Sequence, residues 1–285
     1  MENTSTFVLL LLSPLIAAAQ LNRPANYDGA ETIEIYSEIV DDTFTVSVQL
    51  PLAYATNTDK RYPIALLVDG DFYFPTMAPL IRQYEMTGLL QPMILVGIGY
   101  GDFQKMDSLR IRDFLYPAPL ESDELSASGG GLDFYRFIAD ELLPRLETGL
   151  RIDTSQRTLM GHSFGGYFAL YALLQQANEG KTVFSNIIAA SPTLWYHDFY
   201  LHRLPGKLAS DTPQKALNIV LTAGSLENGE WTLNPIHKLT VSFKNENIPQ
   251  LYLDTFIYNF LDHMDTGQLS FVKGLQHIYS PQPIQ

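Results

Sequence analysis

The chain has 285 residues, 46% hydrophobic and 17% charged, with a formal net charge of −13 and no cysteine. That length and apolar content suffice to bury a large core, which excludes a disordered chain and predicts one α/β domain or at most two small ones. The negative charge argues against a nucleic-acid backbone or an anionic membrane surface as partner, because both would repel it. The missing cysteines exclude disulfides, thiol nucleophiles and thiolate metal ligands.

The apolar run from Phe7 to Ala19 closes on Ala17, Ala18 and Ala19. It matches the core and small-residue cleavage site of a secretory signal and is too short for a comfortable membrane span. We expect a signal peptide over residues 1–19, cleaved near Ala19 and Gln20, and a single domain over 20–285. The mature protein is then secreted or periplasmic, with no stable membrane insertion. The segment departs from the usual pattern in carrying Glu2 and neither Lys nor Arg ahead of the apolar run.

Phe44, Val46, Val48 and Leu50 alternate with polar residues, as in a strand with one buried face. Asp41 and Asp42 separate that run from "IEIYSEIV" and predict a hairpin turn. The pattern then changes to short continuous apolar runs: "YPIALLV" (62–68), "PMILVGIG" (92–99), "RTLMG" (157–161), "SNIIAAS" (185–191) and "LNIVLTAG" (217–224). Runs of this kind suit parallel strands covered on both faces. Between them, Phe134, Ile138, Leu142 and Leu146 recur at helical spacing, and so does the run through Leu173 and Leu174. The alternation predicts a mostly parallel, doubly wound sheet with helices on both faces and an antiparallel hairpin at its start. Residues 101–131 show little regular patterning and predict a lid or binding loop, with Asp133 capping the helix that follows.

"LMGHSFGGYFAL" (159–170) carries the chemistry. Gly161 and Gly165 remove the Cβ atoms that would clash if a strand turned sharply into a helix. That turn, a nucleophile elbow, holds the Ser163 hydroxyl above the sheet. The Phe164 N–H then lies at a helix start, where the dipole favours a developing oxyanion. A second amide is expected from "VDGDFYF", from Asp71 or Phe72, without a choice between them.

A serine nucleophile needs a base, and the base an orienting acid. Of six histidines, His162 is expected to face away from the site. His197, His202 and His237 precede any late loop, and His277 sits in a helix-like run. His263, between "QLYLDTFIY" and the last helix, is the candidate base. Glu227 follows "NIVLTAG" directly and is the candidate acid. Its rivals are Glu230, Asp254, Asp262 and Asp265; Asp254 lies in the last strand and Asp262 beside the histidine, so neither has that strand-end placement.

These motifs together resemble the Putative esterase family of α/β-hydrolases, which includes feruloyl esterases, formylglutathione hydrolases and siderophore esterases. The resemblance also covers "ILVGIGY", "RIRDFLYP", "FYRFIADELLPRLE", "AASPTLWY" and "HMDTGQLSFVKGLQHIY". It implies the α/β-hydrolase fold and a serine ester hydrolase acting on a small-molecule ester with Ser163, His263 and Glu227, without metal or organic cofactor. Glu227 stands where feruloyl esterases usually have Asp, a change that preserves the role. Ser191, Pro192 and Trp195 map to a segment near the pocket. Arg110 maps to an arginine that holds an anionic ligand in the siderophore branch, although an Arg110–Asp113 pair ordering the loop accounts for it equally. Tyr73, Phe72, Phe103, Trp195 and Tyr196 are candidates for an aromatic acyl pocket or for core. A siderophore trilactone esterase and a non-catalytic binding protein on a hydrolase scaffold remain as alternatives.

Overall fold

The computed structural model describes residues 29–213 and 215–279, so the expected signal peptide lies outside the described residues. One eight-stranded sheet runs through them in the order β1-β2-β4-β3-β5-β6-β7-β8. Strands β1 (Ala30–Ser37) and β2 (Asp42–Gln49) form the N-terminal hairpin. Asp41 turns it in the left-handed region at φ 58°. β2 runs antiparallel to β4 (Ile94–Gly99). From β4 through β3 (Tyr62–Leu67), β5 (Ile152–His162), β6 (Asn186–Ala190), β7 (Leu217–Gly224) and β8 (Leu251–Tyr258), every pairing is parallel. β3, β4 and β6 are buried at every residue, which is why they read as unbroken apolar runs.

Helices cover both faces. On one, α1 (Gly70–Met86) packs Tyr73, Phe74 and Met77 with Phe271 and Leu275 of the C-terminal helix. On the other lies α2 (Phe103–Phe114), followed by α3 (Gly131–Arg136), a π turn (Phe137–Leu142) and α4 (Leu143–Gly149). Next comes α5 (Phe164–Asn178), buried continuously from Gly165 to Ala177. The short α6 (Tyr196–Phe199), α7 (Leu204–Ser210), α8 (Asn234–Glu246) and α9 (Thr266–Tyr279, the C-terminal helix) complete the order. The strict four-residue step of Phe134, Ile138, Leu142 and Leu146 would drift about 40° per step around a regular helix. The wider π turn absorbs that drift, and all four side chains stay buried.

Two expectations are corrected. Residues 103–114 of the supposedly unpatterned stretch are α2, started by the Asp102 carboxylate accepting the Lys105 N–H at 2.9 Å. It buries only Met106, Asp113 and Phe114, too thin a stripe to show as periodicity. Asp133 is not the cap of α3; Gly130 occupies that position and Asp133 lies in the first turn. Gly70, Asp71 and Phe72, in the segment expected to supply the second amide, form the start of α1, whose pattern is interrupted by Pro75 and Pro79.

β5 and α5 meet at backbone contact. A Cβ added at Gly161 would lie 2.1 Å from the Gly165 carbonyl oxygen. Gly161→Ala is therefore expected to lower the unfolding free energy by about 1–3 kcal/mol. Gly206→Ala, inside α7 where an added Cβ meets nothing within 4 Å, is expected to raise it by about 0.5–1 kcal/mol. Urea unfolding of the two variants checks the contrast; equal effects would show that the strand–helix contact is not tight.

Candidate active site

The parallel strands end at one edge of the sheet, where ligands bind in open α/β folds. β5 delivers Ser163 there in the elbow conformation, φ 59° and ψ −118°. That region is sparsely populated and costs about 1–3 kcal/mol unless its surroundings enforce it. They do. The Ser163 N–H donates to the Ala190 carbonyl, and the Ser163 carbonyl accepts from the N–H groups of Tyr167 and Thr193. The hydroxyl oxygen lies 3.5 Å from Thr193 Oγ1. The Phe164 N–H is the first amide of α5, a position with no intrahelical acceptor.

Glu227 follows β7 and His263 follows β8, as their sequence positions require. His263 Nδ1 donates to Glu227 Oε2 at 2.8 Å, so the free ring nitrogen is Nε2. The other carboxylate oxygen accepts from Ser191 Oγ at 2.6 Å and from the Gly224 N–H at 2.7 Å. Burial by itself would raise the Glu227 pKa. The hydrogen bonds from His263, Gly224 and Ser191 outweigh it and hold the carboxyl below its ordinary value. The rival acids are engaged elsewhere: Asp254 accepts from His277 at 2.7 Å, Asp262 from the Met264 N–H at 3.1 Å and Asp265 from the Asp262 N–H at 3.5 Å, while Glu230 belongs to the turn after Asn228.

Ser163 and His263 line one cavity of about 170 Å³ with Phe72, Tyr73, Phe103 and Met106. Among the described residues no hydrogen bond joins the serine hydroxyl to the histidine ring. Free serine hydrolases often hold this pair loosely and tighten it on substrate.

Arg110 also lines the cavity, but not through Asp113. Its guanidinium is bidentate to Asp69, at 2.7 and 2.8 Å, and reaches the His162 carbonyl at 3.3 Å. Asp113 instead takes Arg112, at 2.7 and 2.9 Å, and the Tyr100 hydroxyl at 3.0 Å. Of the two amides expected after β3, the Phe72 N–H donates to the Asp69 carbonyl at 3.1 Å and is spent. The Asp71 N–H, second in α1, stands at the helix end where such groups lack intrahelical acceptors. Trp195 is not brought to this cavity. It packs at 6.5 Å against both Tyr196 and Trp231.

His162 corrects the expectation that it faces away. It lines the cavity, its ring centroid lies 4.6 Å from that of His263, and Nε2 is 2.7 Å from the His263 carbonyl oxygen. Composition and spacing gave no signal for this, because alternation along β5 is broken by the elbow itself. Ser191 is similar: the resemblance put it near the pocket, but its bond to Glu227 depends on a loop with φ 42°. Among the described residues no cluster of three or more His, Asp or Glu is placed to hold a metal ion. No helix there is long and apolar enough to cross a membrane.

The sequence profile described as Putative esterase matches residues 37–270. The chain is 33% identical over 204 residues to the ferri-bacillibactin esterase BesA of Bacillus subtilis, covering 67% of this chain and 65% of that protein. It is 29% identical over 177 residues to the siderophore enterobactin esterase of Emericella nidulans, covering 55% of this chain and 56% of that one. The matched segments thus span less than two thirds of either relative. The BES protein of Bacillus cereus superposes with a TM-score of 0.76 at 24% identity, covering 90% of this chain and 98% of that one, which supports the α/β-hydrolase fold.

The Asp69–Arg110 pair is nearly closed to solvent, with side chains 2% and 14% exposed. Asp69→Asn leaves a buried guanidinium without its counter-charge and is expected to cost about 3–5 kcal/mol. The double variant Asp69→Asn/Arg110→Met is expected to lose less than the single one. Chemical denaturation of the two checks this.

Proposed function

This chain belongs to the Putative esterase family, and from that premise we propose that it is a serine carboxylic-ester hydrolase. The observation that carries the reading is the 2.8 Å bond from His263 Nδ1 to Glu227, with the free Nε2 side of the imidazole sharing a cavity with a strained Ser163. In the proposed reaction Ser163 Oγ attacks the ester carbonyl as His263 Nε2 takes its proton, and Glu227 stabilises the imidazolium through Nδ1–H. The oxyanion forms against the Phe164 N–H and the Asp71 N–H at two helix starts. His263 returns the proton to the departing alcohol; water activated by the same imidazole then cleaves the acyl-enzyme.

A siderophore ester is the substrate class favoured by the names of the relatives. Charge favours its metal-free form. The charged side chains lining the cavity are Asp69, Asp107 and Arg110, with Arg110 already neutralised by Asp69. A chain of net charge −13 repels an anionic ferric catecholate more than a neutral lactone. The rim of Phe72, Phe103 and Met264, each 38% exposed or more, suits aromatic or apolar substituents beside the ester. We also propose export, on the apolar run ending at Ala19.

The test is hydrolysis of p-nitrophenyl esters from acetate to dodecanoate, and of a catecholate trilactone with and without ferric iron, by the wild type and by Ser163→Ala. The expected result is turnover that the serine variant loses by about 10³-fold or more, with the metal-free lactone preferred to the ferric complex. A folded wild type inactive on every ester overturns the hydrolase reading in favour of a binding role. For export, N-terminal sequencing of the mature protein is expected to begin at Gln20; retention of Met1 would defeat it.

A further inference from the structure

The base loop has to be held at the right distance from the nucleophile, and most of its anchors do not touch the nucleophile's strand. The Phe260 N–H donates to Ser225 Oγ at 3.0 Å, and the Leu226 N–H to the Leu261 carbonyl at 3.0 Å. Both fasten the loop to the segment after β7. The His263 carbonyl accepts from Thr266 Oγ1 at 2.9 Å, a bond within the same loop. Its second donor is different in kind. His162 is covalently next to Ser163, and its Nε2 lies 2.7 Å from that carbonyl.

We propose that His162 is a positioning residue for the base, its Nε2–H tying the His263 main chain to the residue adjoining the nucleophile. The inference rests on the ester-hydrolase reading. It rests equally on geometry: one hydrogen bond and one peptide link join His263 to Ser163, the shortest connection between them among the described hydrogen bonds. A carbonyl only accepts, so the proton must sit on Nε2 and fixes the tautomer of His162. The ring also packs at 4.6 Å against the His263 imidazole and at 6.0 Å, edge-on, against Tyr73. These contacts limit rotation of the base as well as translation of its loop.

The chemistry of the residue type matters. The groups around this ring are His263, Arg110, Glu227 and Tyr73. Burial first, and the neighbouring His263 second, push the His162 pKa down to about 3. His162 therefore donates as a neutral ring. An ammonium or guanidinium donor in its place would put a fixed positive charge beside the imidazole that has to accept the serine proton, and would oppose that transfer.

Three variants separate positioning from packing. His162→Gln keeps an N–H donor of similar reach. His162→Phe keeps a ring without a donor. His162→Asn is polar but too short, and stands in should the Phe variant not fold. With p-nitrophenyl acetate, Phe and Asn are expected to lower kcat about 10- to 100-fold with KM changed less than about twofold, and Gln to recover most of kcat. A second readout needs no turnover: the low-field proton of His263 Nδ1–H, hydrogen-bonded to Glu227, is expected in the NMR spectrum of the wild type and Gln variant and broadened or lost in Phe and Asn. Folded Phe or Asn variants that keep both kcat and this resonance overturn the proposal, as does a Gln variant that loses both. If the wild type shows no Ser163-dependent hydrolysis, the ester-hydrolase reading fails on its own, and the resonance still decides whether His162 holds the base.

Discussion

Contact between the backbones of β5 and α5 is the constraint on which the rest of the site depends. Gly161 and Gly165 approach so closely that a single Cβ at position 161 would overlap the Gly165 carbonyl. Gly166 meets the Ala190 carbonyl of the neighbouring strand in the same way, with an added Cβ 2.8 Å from that oxygen. A strand and a helix this close leave one residue to make the reversal, and Ser163 makes it in a conformation that costs free energy in isolation. The burial of α5 from Gly165 to Ala177 supplies what offsets that cost. A side chain held this way is directed by the core and has little freedom of its own, as its proposed role as nucleophile requires.

Around the elbow, two buried carboxylates organise the strand ends, and each is used differently. Asp69, at the end of β3 with φ 56°, is locked to Arg110, and Arg110 in turn reaches back to the carbonyl of His162. This pair closes the junction between β3 and α1 onto the elbow and leaves no net charge there. Glu227 at the end of β7 has one oxygen satisfied by Ser191 and the Gly224 amide and presents the other to His263. Its burial raises the cost of being charged, so its hydrogen bonds are what keep it an acceptor for the imidazole. One carboxylate is spent on structure and the other holds the imidazole proposed as the base.

The sequence made the strands legible, because β3, β4 and β6 are buried on both faces and are therefore almost wholly apolar, with Asn186 at the start of β6 hydrogen-bonded to Tyr279 and Asn218. It hid α1 and α2 for opposite reasons. Prolines break the pattern of α1, and α2 lies so shallowly on the surface that Met106 and Phe114 are its only fully buried apolar residues. In the site, Ser163, Glu227 and His263 were readable from chain order, since each follows a strand that points to the same edge. The partner of Arg110 was not: Asp113 is three residues away on the same helix, yet the guanidinium crosses to Asp69 on another element.

What the sequence by itself determined is therefore the alternation of strands and helices, the elbow and the chain order of the proposed reactive residues, all consequences of local periodicity, glycine placement and position along the chain. Only the tertiary structure decided the rest. It turned His162 towards the base, committed the Phe72 amide to Asp69, left the Asp71 amide at a helix start and packed Trp195 on Trp231 away from the cavity. Each of these depends on distances between elements far apart in the chain. A hydrogen bond forms or fails within a few tenths of an ångström, and no spacing in the sequence encodes that.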